Sequence, residues 1–75
     1  MNLSEAKLKS IVKVVDIKAV GELRRRFFDL GIVEGTNIEV LYESPFSDPR
    51  AYYIRGAIIA IRSDESKSII IESNW

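Results

Sequence analysis

Residues 23–62 read LRRRFFDLGIVEGTNIEVLYESPFSDPRAYYIRGAIIAIR, and the spacing of their apolar residues decides the fold. The first part of this stretch repeats large apolar side chains at i, i+4 and i+7: Leu23, Phe27 and Leu30. Such spacing places the three side chains on one stripe of an amphipathic helix. Gly31 follows at the position where a left-handed residue commonly ends a helix. The pattern therefore predicts a helix over residues 21–30 that Gly31 stops at positive φ.

Strand patterns lie on both sides of this helix. Residues 11–17 (IVKVVDI) are rich in β-branched side chains and read as a strand. Its buried face stays open, because both alternating sets are apolar: Val12 and Val14 on one side, Ile11, Val15 and Ile17 on the other. Residues 36–42 alternate more strictly and predict a half-buried strand. Its apolar face carries three residues: Ile38, Val40 and Tyr42.

The rest of the chain predicts a loop, a hairpin and a closing strand. Residues 43–51 hold both prolines and cannot continue a ladder. The hairpin strands are expected over residues 51–55 and 57–62, with a turn at Arg55-Gly56 in which glycine supplies positive φ. Three further segments complete the prediction: a polar turn at 63–67, a strand at 68–72, and a helical turn at 3–8 that Ser4 can cap and from which Leu3 and Leu8 pack on the body.

These elements predict a mainly β fold: a small, highly curved five-stranded antiparallel barrel with one short α-helix after the first strand. At 75 residues the chain forms a single domain over residues 1–75. Its core is expected to be thin, since a chain of this length buries only about 60% of the surface that it exposes when unfolded. The predicted core consists of residues with shared apolar periodicity: Leu23, Phe27, Leu30, Ile38, Val40, Ile54, Ile59, Ile61, Ile69 and Ile71.

Composition excludes several classes of function. The chain has no cysteine and no histidine, so disulfides, thiolate nucleophiles, imidazole bases and His/Cys metal sites are all absent. We therefore expect no enzyme, no cofactor and no metal ligand set. Eleven basic and eleven acidic residues cancel, which disfavours nucleic acid as a partner. No apolar run approaches the ~20 residues that span a bilayer, so we expect an intracellular protein without membrane insertion.

Four motifs, in this order and spacing, resemble the FeoA family, small cytoplasmic proteins that accompany the bacterial ferrous-iron permease FeoB. They are LRRRFFDLGI (23–32), EGT (34–36), SPFSDP (44–49) and YIRG…IAIR (53–56, 59–62). The resemblance covers nearly the whole chain and implies an SH3-like barrel. Two residues depart from the family pattern: Ser10 stands at a usual turn glycine, and Ser47 stands where the loop usually reads Gly-Asp-Pro. Both departures concern local loop geometry.

The resemblance also implies a function and a partner. The expected function is that of a non-enzymatic cytoplasmic accessory protein that binds and regulates FeoB through the permease's cytosolic GTPase domain. Transition-metal binding belongs to the family-level description, but this chain offers little chemistry for it, since a ferrous site without imidazole or thiolate is weak. The alternative is a stand-alone SH3-like regulatory module that resembles the C-terminal domain of iron-dependent repressors. The chain is expected to be a monomer or to self-associate weakly.

The candidate partner-binding residues combine charge with potentially exposed aromatic side chains, which interface centres favour. They are Arg24, Arg25, Phe28, Phe46, Asp48 and Arg55. Ordinary structural roles stay open for each of them. The arginines can form a solvated helix face, Phe28 can be a second core contact, and Phe46 can plug the barrel. Asp48 can serve turn chemistry, and Arg55 can be an exposed turn charge that draws interest only because the family's IRG motif falls on it.

Overall fold

A computed structural model of the protein describes residues 1–73. A short 3₁₀ helix (Leu3–Glu5) precedes five strands and two helices. In chain order these are β1 (Ile11–Ile17), α1 (Gly21–Asp29), β2 (Asn37–Glu43), β3 (Arg50–Ile54), β4 (Ala57–Ile61), α2 (Ser63–Ser66) and β5 (Ile69–Ser73). The predicted strands and the main helix are therefore confirmed, with each boundary shifted by at most one residue. The polar turn at 63–67 forms the single helical turn α2.

All five strands form one antiparallel sheet in the order β4-β3-β2-β1-β5. β1 lies beside both β2 and β5, so the first strand of the chain joins the last to the rest of the sheet. Within the described residues no ladder joins β4 to β5. The predicted small antiparallel barrel with one helix after its first strand is thus confirmed, as a barrel-like sheet that is not closed.

The helix α1 ends as its sequence predicts. Gly31 has φ +85°, the left-handed conformation that a side chain disfavours. The N–H of Gly31 donates to the carbonyl oxygen of Phe28 at 2.9 Å, and the N–H of Ile32 donates to that of Phe27 at 2.8 Å. This pair of hydrogen bonds is a Schellman stop, which satisfies the last carbonyls of the helix and turns Ile32 into the core.

The core is formed mainly by side chains of the five strands, and α1 adds Phe27 to it. Seven of the predicted residues are buried: Phe27, Ile38, Val40, Ile54, Ile61, Ile69 and Ile71. Three others are only partly buried and pack on the outside of this cluster: Leu23, Leu30 and Ile59. The prediction omitted seven residues of the buried core cluster: Leu3, Ala6, Val12, Val14, Ala19, Ile32 and Tyr52. The burial of Val12 and Val14 settles the open question of which face of β1 is buried.

The prediction that Tyr42 lies inward beside Ile38 and Val40 is wrong. In the β2–β3 ladder Val40 pairs with Tyr52, but Tyr42 pairs with Ala51, so β2 contains one extra residue at this point. Such a bulge shifts the alternation of side chains between the two faces of a strand. Tyr42 consequently points outward and is 54% exposed.

The N-terminal segment docks on the outer edge of β5. The carbonyl oxygen of Met1 accepts a 2.9 Å hydrogen bond from the N–H of Ile71, and Asn2 forms an isolated bridge with Ile70. Asn2, rather than the predicted Ser4, caps the 3₁₀ helix, and it forms a capping box with Glu5. Leu3 is fully buried, whereas Leu8, expected to pack on the body as well, is 38% exposed.

Candidate partner-binding surface

An open apolar groove runs along α1 where the helix passes the end of β1. Its volume is about 320 Å³, and it is lined by Ile17, Arg24, Phe28, Ile32, Val33 and Glu34. Phe28 is 69% exposed here, so the hypothesis that it forms a second core contact is wrong. An exposed phenylalanine beside a concave apolar surface is uncommon on proteins that bind no partner. It is typical of protein–protein interfaces. We call these six residues the α1 groove.

The sequence of the helix explains how the groove arises. Phe27 occupies the buried stripe, so its neighbour Phe28 must point sideways. Arg24 lies four residues before Phe28 and therefore shares its face of the helix. The guanidinium of Arg24 donates through Nη1 to the carbonyl oxygen of Ile17 at 3.0 Å, which fixes it over the end of β1. The groove thus has an anchored cation at one side and the carboxylate of Glu34 among its other lining groups.

A surface ion pair adds charge next to Arg24. Lys18 Nζ lies 2.8 Å from Asp16 Oδ2, and this hydrogen bond is the main reason why the pKa of Asp16 is lowered. The same contact raises the pKa of Lys18. Arg24 also interacts favourably with the Asp16 carboxylate. Because both partners are exposed, the pair contributes little to folding stability.

The three consecutive arginines have three different environments. Arg24 lines the α1 groove. The side chain of Arg25 is exposed and makes no hydrogen bond or ion pair within residues 1–73. Arg26, which sequence reasoning left out of the candidate surface, forms a 2.7 Å ion pair with Glu65 and lies 5.8 Å from the centre of the Phe27 ring. Arg26 thereby fastens α1 to α2 and is a structural residue.

The proline loop between β2 and β3 presents Phe46 to solvent. Phe46 is 92% exposed, so it does not plug the barrel. The loop is hydrogen-bonded to α2: Asp48 Oδ1 accepts a 2.8 Å hydrogen bond from the N–H of Ser63, the first residue of α2. The main-chain N–H of Ser47 also donates to the carbonyl oxygen of Ser44 at 2.8 Å. Asp48 therefore has a structural role as a cap, and Phe46 is the residue that the loop exposes.

Arg55 lies at a third place, the β3–β4 turn. Ile54 pairs directly with Ala57, so Arg55 and Gly56 form a two-residue turn, and both have positive φ (48° and 90°). That combination matches a type I′ hairpin turn. Arg55 lines a shallow second depression on the outer face of the sheet, together with Ile11, Asn37, Glu39, Tyr53 and Gly56.

The structure therefore brings some of the candidate residues together and separates others. Arg24 and Phe28 share the α1 groove, whereas Phe46, Asp48 and Arg55 do not line it. Sequence reasoning missed four of the groove residues: Ile17, Ile32, Val33 and Glu34. The last three follow the helix directly in the segment GIVEG. The glycine stop in the sequence could have predicted that they lie beside the last turn of the helix.

A buried polar cluster under the proline loop was also missed. Arg50 is buried, its Nη1 donates to the carbonyl oxygen of Ser4 at 3.0 Å, and its Nε lies 3.6 Å from Glu43 Oε1. Tyr52 is fully buried beside it, and burial raises the pKa of its phenol. Its hydroxyl lies near Ser66 and Arg50 without completing a hydrogen bond to either. The cluster ties the N-terminal segment to β2 and β3 and is structural.

Metal chemistry finds no support in the described part of the chain. Within residues 1–73 no three carboxylates gather where they could hold a metal ion, and the sequence has no histidine or cysteine. The residues present therefore do not fit a transition-metal site. No helix over the same residues is long and apolar enough to cross a membrane.

Comparisons with known proteins agree with the fold. The family model of the FeoA domain matches residues 1–73. The FeoA-like protein from Clostridium acetobutylicum is 37% identical with a TM-score of 0.91, over 100% of this chain and 87% of that one. Iron(II) transport protein A from Clostridium thermocellum is 27% identical with a TM-score of 0.93, over 99% of this chain. The chain spans only 46% of the length of that second protein.

More distant structures share the fold alone. A zinc complex of FeoA from Stenotrophomonas maltophilia, described as a prokaryotic SH3 domain protein, is 24% identical with a TM-score of 0.85 over 96% of this chain and 89% of that one. A manganese-dependent transcriptional repressor is 20% identical with the same TM-score, over 96% of this chain and 40% of that one. The expected SH3-like fold is thus confirmed. No curated protein matches the sequence.

Proposed function

Because the chain belongs to the FeoA family, we propose that it is a non-catalytic cytoplasmic accessory protein of ferrous-iron uptake that binds and regulates the permease FeoB. The proposed contact is between the α1 groove and the permease's cytosolic GTPase domain. The family match supports the link to iron transport, and the absence of histidine and cysteine supports a binding role over a catalytic one.

The observation that carries this proposal is the exposure of Phe28 on a rigid helix. Phe28 is 69% exposed, although its neighbour Phe27 is fully buried and the helix that carries both is firmly stopped at Gly31. Burial of a phenylalanine at an interface stabilises a complex by about 1.5–3 kcal/mol. A preformed helix loses little conformational entropy on binding, so more of this energy appears as affinity.

The groove also defines what it can bind. Its centre is apolar, so it fits an apolar side chain of the partner. Arg24 uses only Nη1 for its hydrogen bond to Ile17, so the rest of its guanidinium can donate to a carboxylate of the partner. Glu34 can accept from a basic residue at another position along the groove. A partner segment with an apolar residue next to an acidic one matches these groups.

Phe46 is proposed as a second anchor, separate from the groove. Both elements that carry the aromatic residues are fastened to α2: α1 by the ion pair of Arg26 with Glu65, and the proline loop by the hydrogen bond of Asp48 to Ser63. α2 therefore links the two elements through one half-exposed ion pair and one hydrogen bond, which restrict their relative motion. Such fixing limits the entropy lost when both engage the same partner.

The test is a calorimetric titration of the purified permease cytosolic domain with this protein, in the GDP-bound and the GTP-analogue-bound state. We expect Phe28→Ala and Arg24→Glu each to weaken binding by about 5- to 150-fold, equivalent to about 1–3 kcal/mol, with little change in melting temperature. Phe46→Ala and Arg25→Glu test the second anchor and the exposed helix face in the same way. Val20→Ala is a matched control, since Val20 is also an exposed apolar residue but lies outside the groove.

Two results would contradict the proposal. If the wild-type protein does not bind the permease domain in either nucleotide state, that domain is excluded as the partner. If all four variants bind the permease domain as tightly as wild type does, the domain remains the partner but this surface is not the contact. The Arg55 turn would then be the next region to mutate.

A further inference from the structure

The two outer edges of the sheet differ in whether another segment of the chain covers them. The outer edge of β5 is covered by the N-terminal segment, through the hydrogen bond from Ile71 to Met1 and the bridge between Asn2 and Ile70. The outer edge of β4 receives no backbone or side-chain hydrogen bond from any residue in 1–73. An open edge presents unpaired N–H and C=O groups to any extended chain that can pair with them.

The sequence of β4 offers no protection against such pairing. The strand reads AIIAI, without a charge, a proline or a bulge in its length. Natural edge strands commonly carry one of these features to prevent association with another strand. Ile58 points to solvent and is 63% exposed. β4 is thus an uncharged, β-prone edge with a large apolar side chain on its outer face.

The register of the β3–β4 hairpin shows which main-chain N–H and C=O groups of β4 point away from β3. Ile54 and Ala57 flank a two-residue turn and so form a hydrogen-bonded pair, which makes Tyr52–Ile59 and Arg50–Ile61 the next such pairs. The residues between them, Ile58 and Ala60, must direct their N–H and C=O groups away from β3. These groups are the ones available to another strand.

An apolar band continues from this edge across the outer face of the sheet. Lateral pairing runs from Ile58 to Tyr53, from Tyr53 to Glu39, and from Glu39 to Ile11. Three of these four residues are exposed and apolar or aromatic: Ile58, Tyr53 and Ile11. A strand added beside β4 would extend this band and shelter Ile58, which a monomer leaves in water.

We propose that β4 pairs in antiparallel fashion with β4 of a second copy of this chain, about a two-fold axis at Ile59. In that register each Ile58 is opposite Ala60 of the other copy, so both free residues on each side form hydrogen-bonded pairs. The same pairing places a large side chain beside a small one on the outer face, twice. The two sheets become one continuous sheet.

Charge disfavours the neighbouring register. β4 is bounded by Arg55 at one end and Arg62 at the other, so a two-fold axis between Ile58 and Ile59 would place Arg55 opposite Arg62 twice. With the axis at Ile59, Arg62 is opposite Gly56 and Arg55 is opposite Ser63, neither of which is charged. Direct opposition of like charges is avoided. The α1 groove contains no residue of β4, so the pairing leaves it open.

The association is expected to be weak, because pairing of one short strand buries less than a stable dimer requires. Sedimentation velocity over a wide range of protein concentration should show a monomer–dimer equilibrium. Ile58→Lys and Ala60→Pro should each raise the dissociation constant at least about tenfold, the first by charge and the second by loss of the outward N–H. Val20→Lys is the matched control, since it places the same charge at another exposed apolar residue and should leave the equilibrium unchanged. Melting curves of dilute protein would establish that all variants fold.

Two further measurements test the geometry. Amide hydrogen exchange should slow with concentration at Ile58 and Ala60 and not at Ile59, whose N–H already faces β3. The chain has no cysteine, so Ile58→Cys and Ala60→Cys proteins can be mixed and oxidised. The mixed disulfide should then exceed its statistical share, because position 58 faces position 60.

Some outcomes would overturn the proposal. A protein that stays monomeric at the highest concentration, or an Ile58→Lys variant that dimerises like wild type, excludes pairing through β4. A statistical mixture of disulfides excludes the register. Protection of the Ile58 and Ala60 amides only when the permease domain is added would show that the edge receives a different protein.

Discussion

The side chain of Arg55, at the β3–β4 turn, passes directly over Gly31, at the end of α1. A methyl group added to Gly31 would lie 2.3 Å from Arg55 Cδ and 3.0 Å from Arg55 Nε, closer than side chains approach one another. Gly31 also has φ +85°, which a residue with a Cβ adopts only under strain. The glycine of LGI and the arginine of IRG are therefore neighbours, although they lie far apart in the sequence.

Gly31→Ala should lower the free energy of unfolding by about 1–3 kcal/mol, measured by urea denaturation. Gly35→Ala separates the two causes, because Gly35 has φ +90° but nothing within 4 Å of its added Cβ. Arg55 is flexible and can move aside, so a double-mutant cycle of Gly31→Ala with Arg55→Ala should show a coupling of about 0.5–1 kcal/mol. Strictly additive effects would mean that Arg55 does not restrict position 31.

Phe27→Ala should cost about 3–5 kcal/mol, because Phe27 is fully buried at the centre of a thin core. This loss is comparable with the whole stability of a small domain. Phe28→Ala, at the next position, should leave the thermal unfolding curve nearly unchanged, since Phe28 is exposed. Thermal unfolding is measured by circular dichroism. If the two variants melt at the same temperature, Phe27 is not buried and Phe28 exposed as the structure has them.

Asp48→Ala should destabilise the protein by about 0.5–2 kcal/mol, the usual effect of removing a helix cap. The carboxylate accepts the hydrogen bond from the first N–H of α2 at 2.8 Å, so its loss leaves that group without a protein partner. Asp48→Asn is the matched control, because its amide oxygen can accept the same bond. An Asp48→Ala protein as stable as Asp48→Asn would argue against the capping role.

Ser47→Gly should stabilise the protein by up to about 1 kcal/mol. Ser47 has φ +69°, a conformation that costs a non-glycine residue about 1–2 kcal/mol. Part of that gain is offset by the greater freedom of glycine in the unfolded chain. The departure from the family's Gly-Asp-Pro loop is therefore a local strain. A lower midpoint of urea unfolding for Ser47→Gly would show that the serine side chain compensates for it.

Tyr52→Phe should leave stability at neutral pH unchanged or slightly higher, because the buried hydroxyl has no hydrogen-bond partner to lose. Burial raises the pKa of Tyr52 in the folded state. The unfolded chain ionises tyrosine at a pKa of about 10, so the stabilising contribution is complete below that pH and is lost as the pH rises toward the folded pKa. Tyr52→Phe should therefore lose less stability in alkaline solution than wild type. Tyr53→Phe, at the exposed neighbour, should keep the wild-type profile.

Local patterns in the sequence predicted the elements of this fold well. The apolar stripe of α1 and its glycine stop depend only on residues within a few positions, and both were predicted correctly. The hairpin was found for the same reason. The buried face of β1 could not be read locally, because both its faces are apolar and the choice depends on where β2 and β5 pair with it. Tyr42 was misplaced because a bulge changes the alternation without a mark in the sequence.

The candidate surface was predictable only in part. Exposure of Phe28 follows from burial of Phe27, and Arg24 follows from its spacing to Phe28 along the helix. The rest depends on contacts between distant segments: Arg24 with Ile17, and Asp48 with Ser63. Arg50 was missed for the same reason, since its partners Ser4 and Glu43 lie on two different segments.

The pairing of β1 with β5 has a consequence for how the protein forms during synthesis. Val14 pairs with Ile71 and Val12 with Ser73, so β1 must wait until β5 has left the ribosome before its second ladder can form. A chain that has emerged only as far as Ser68 has α1 and the β2–β4 meander but lacks Ile69 and Ile71 from its core. Contacts between such distant segments slow folding. The nascent chain therefore leaves the β5 side of β1 without its ladder until residues 69–73 have emerged, and it is more susceptible to proteases during that interval.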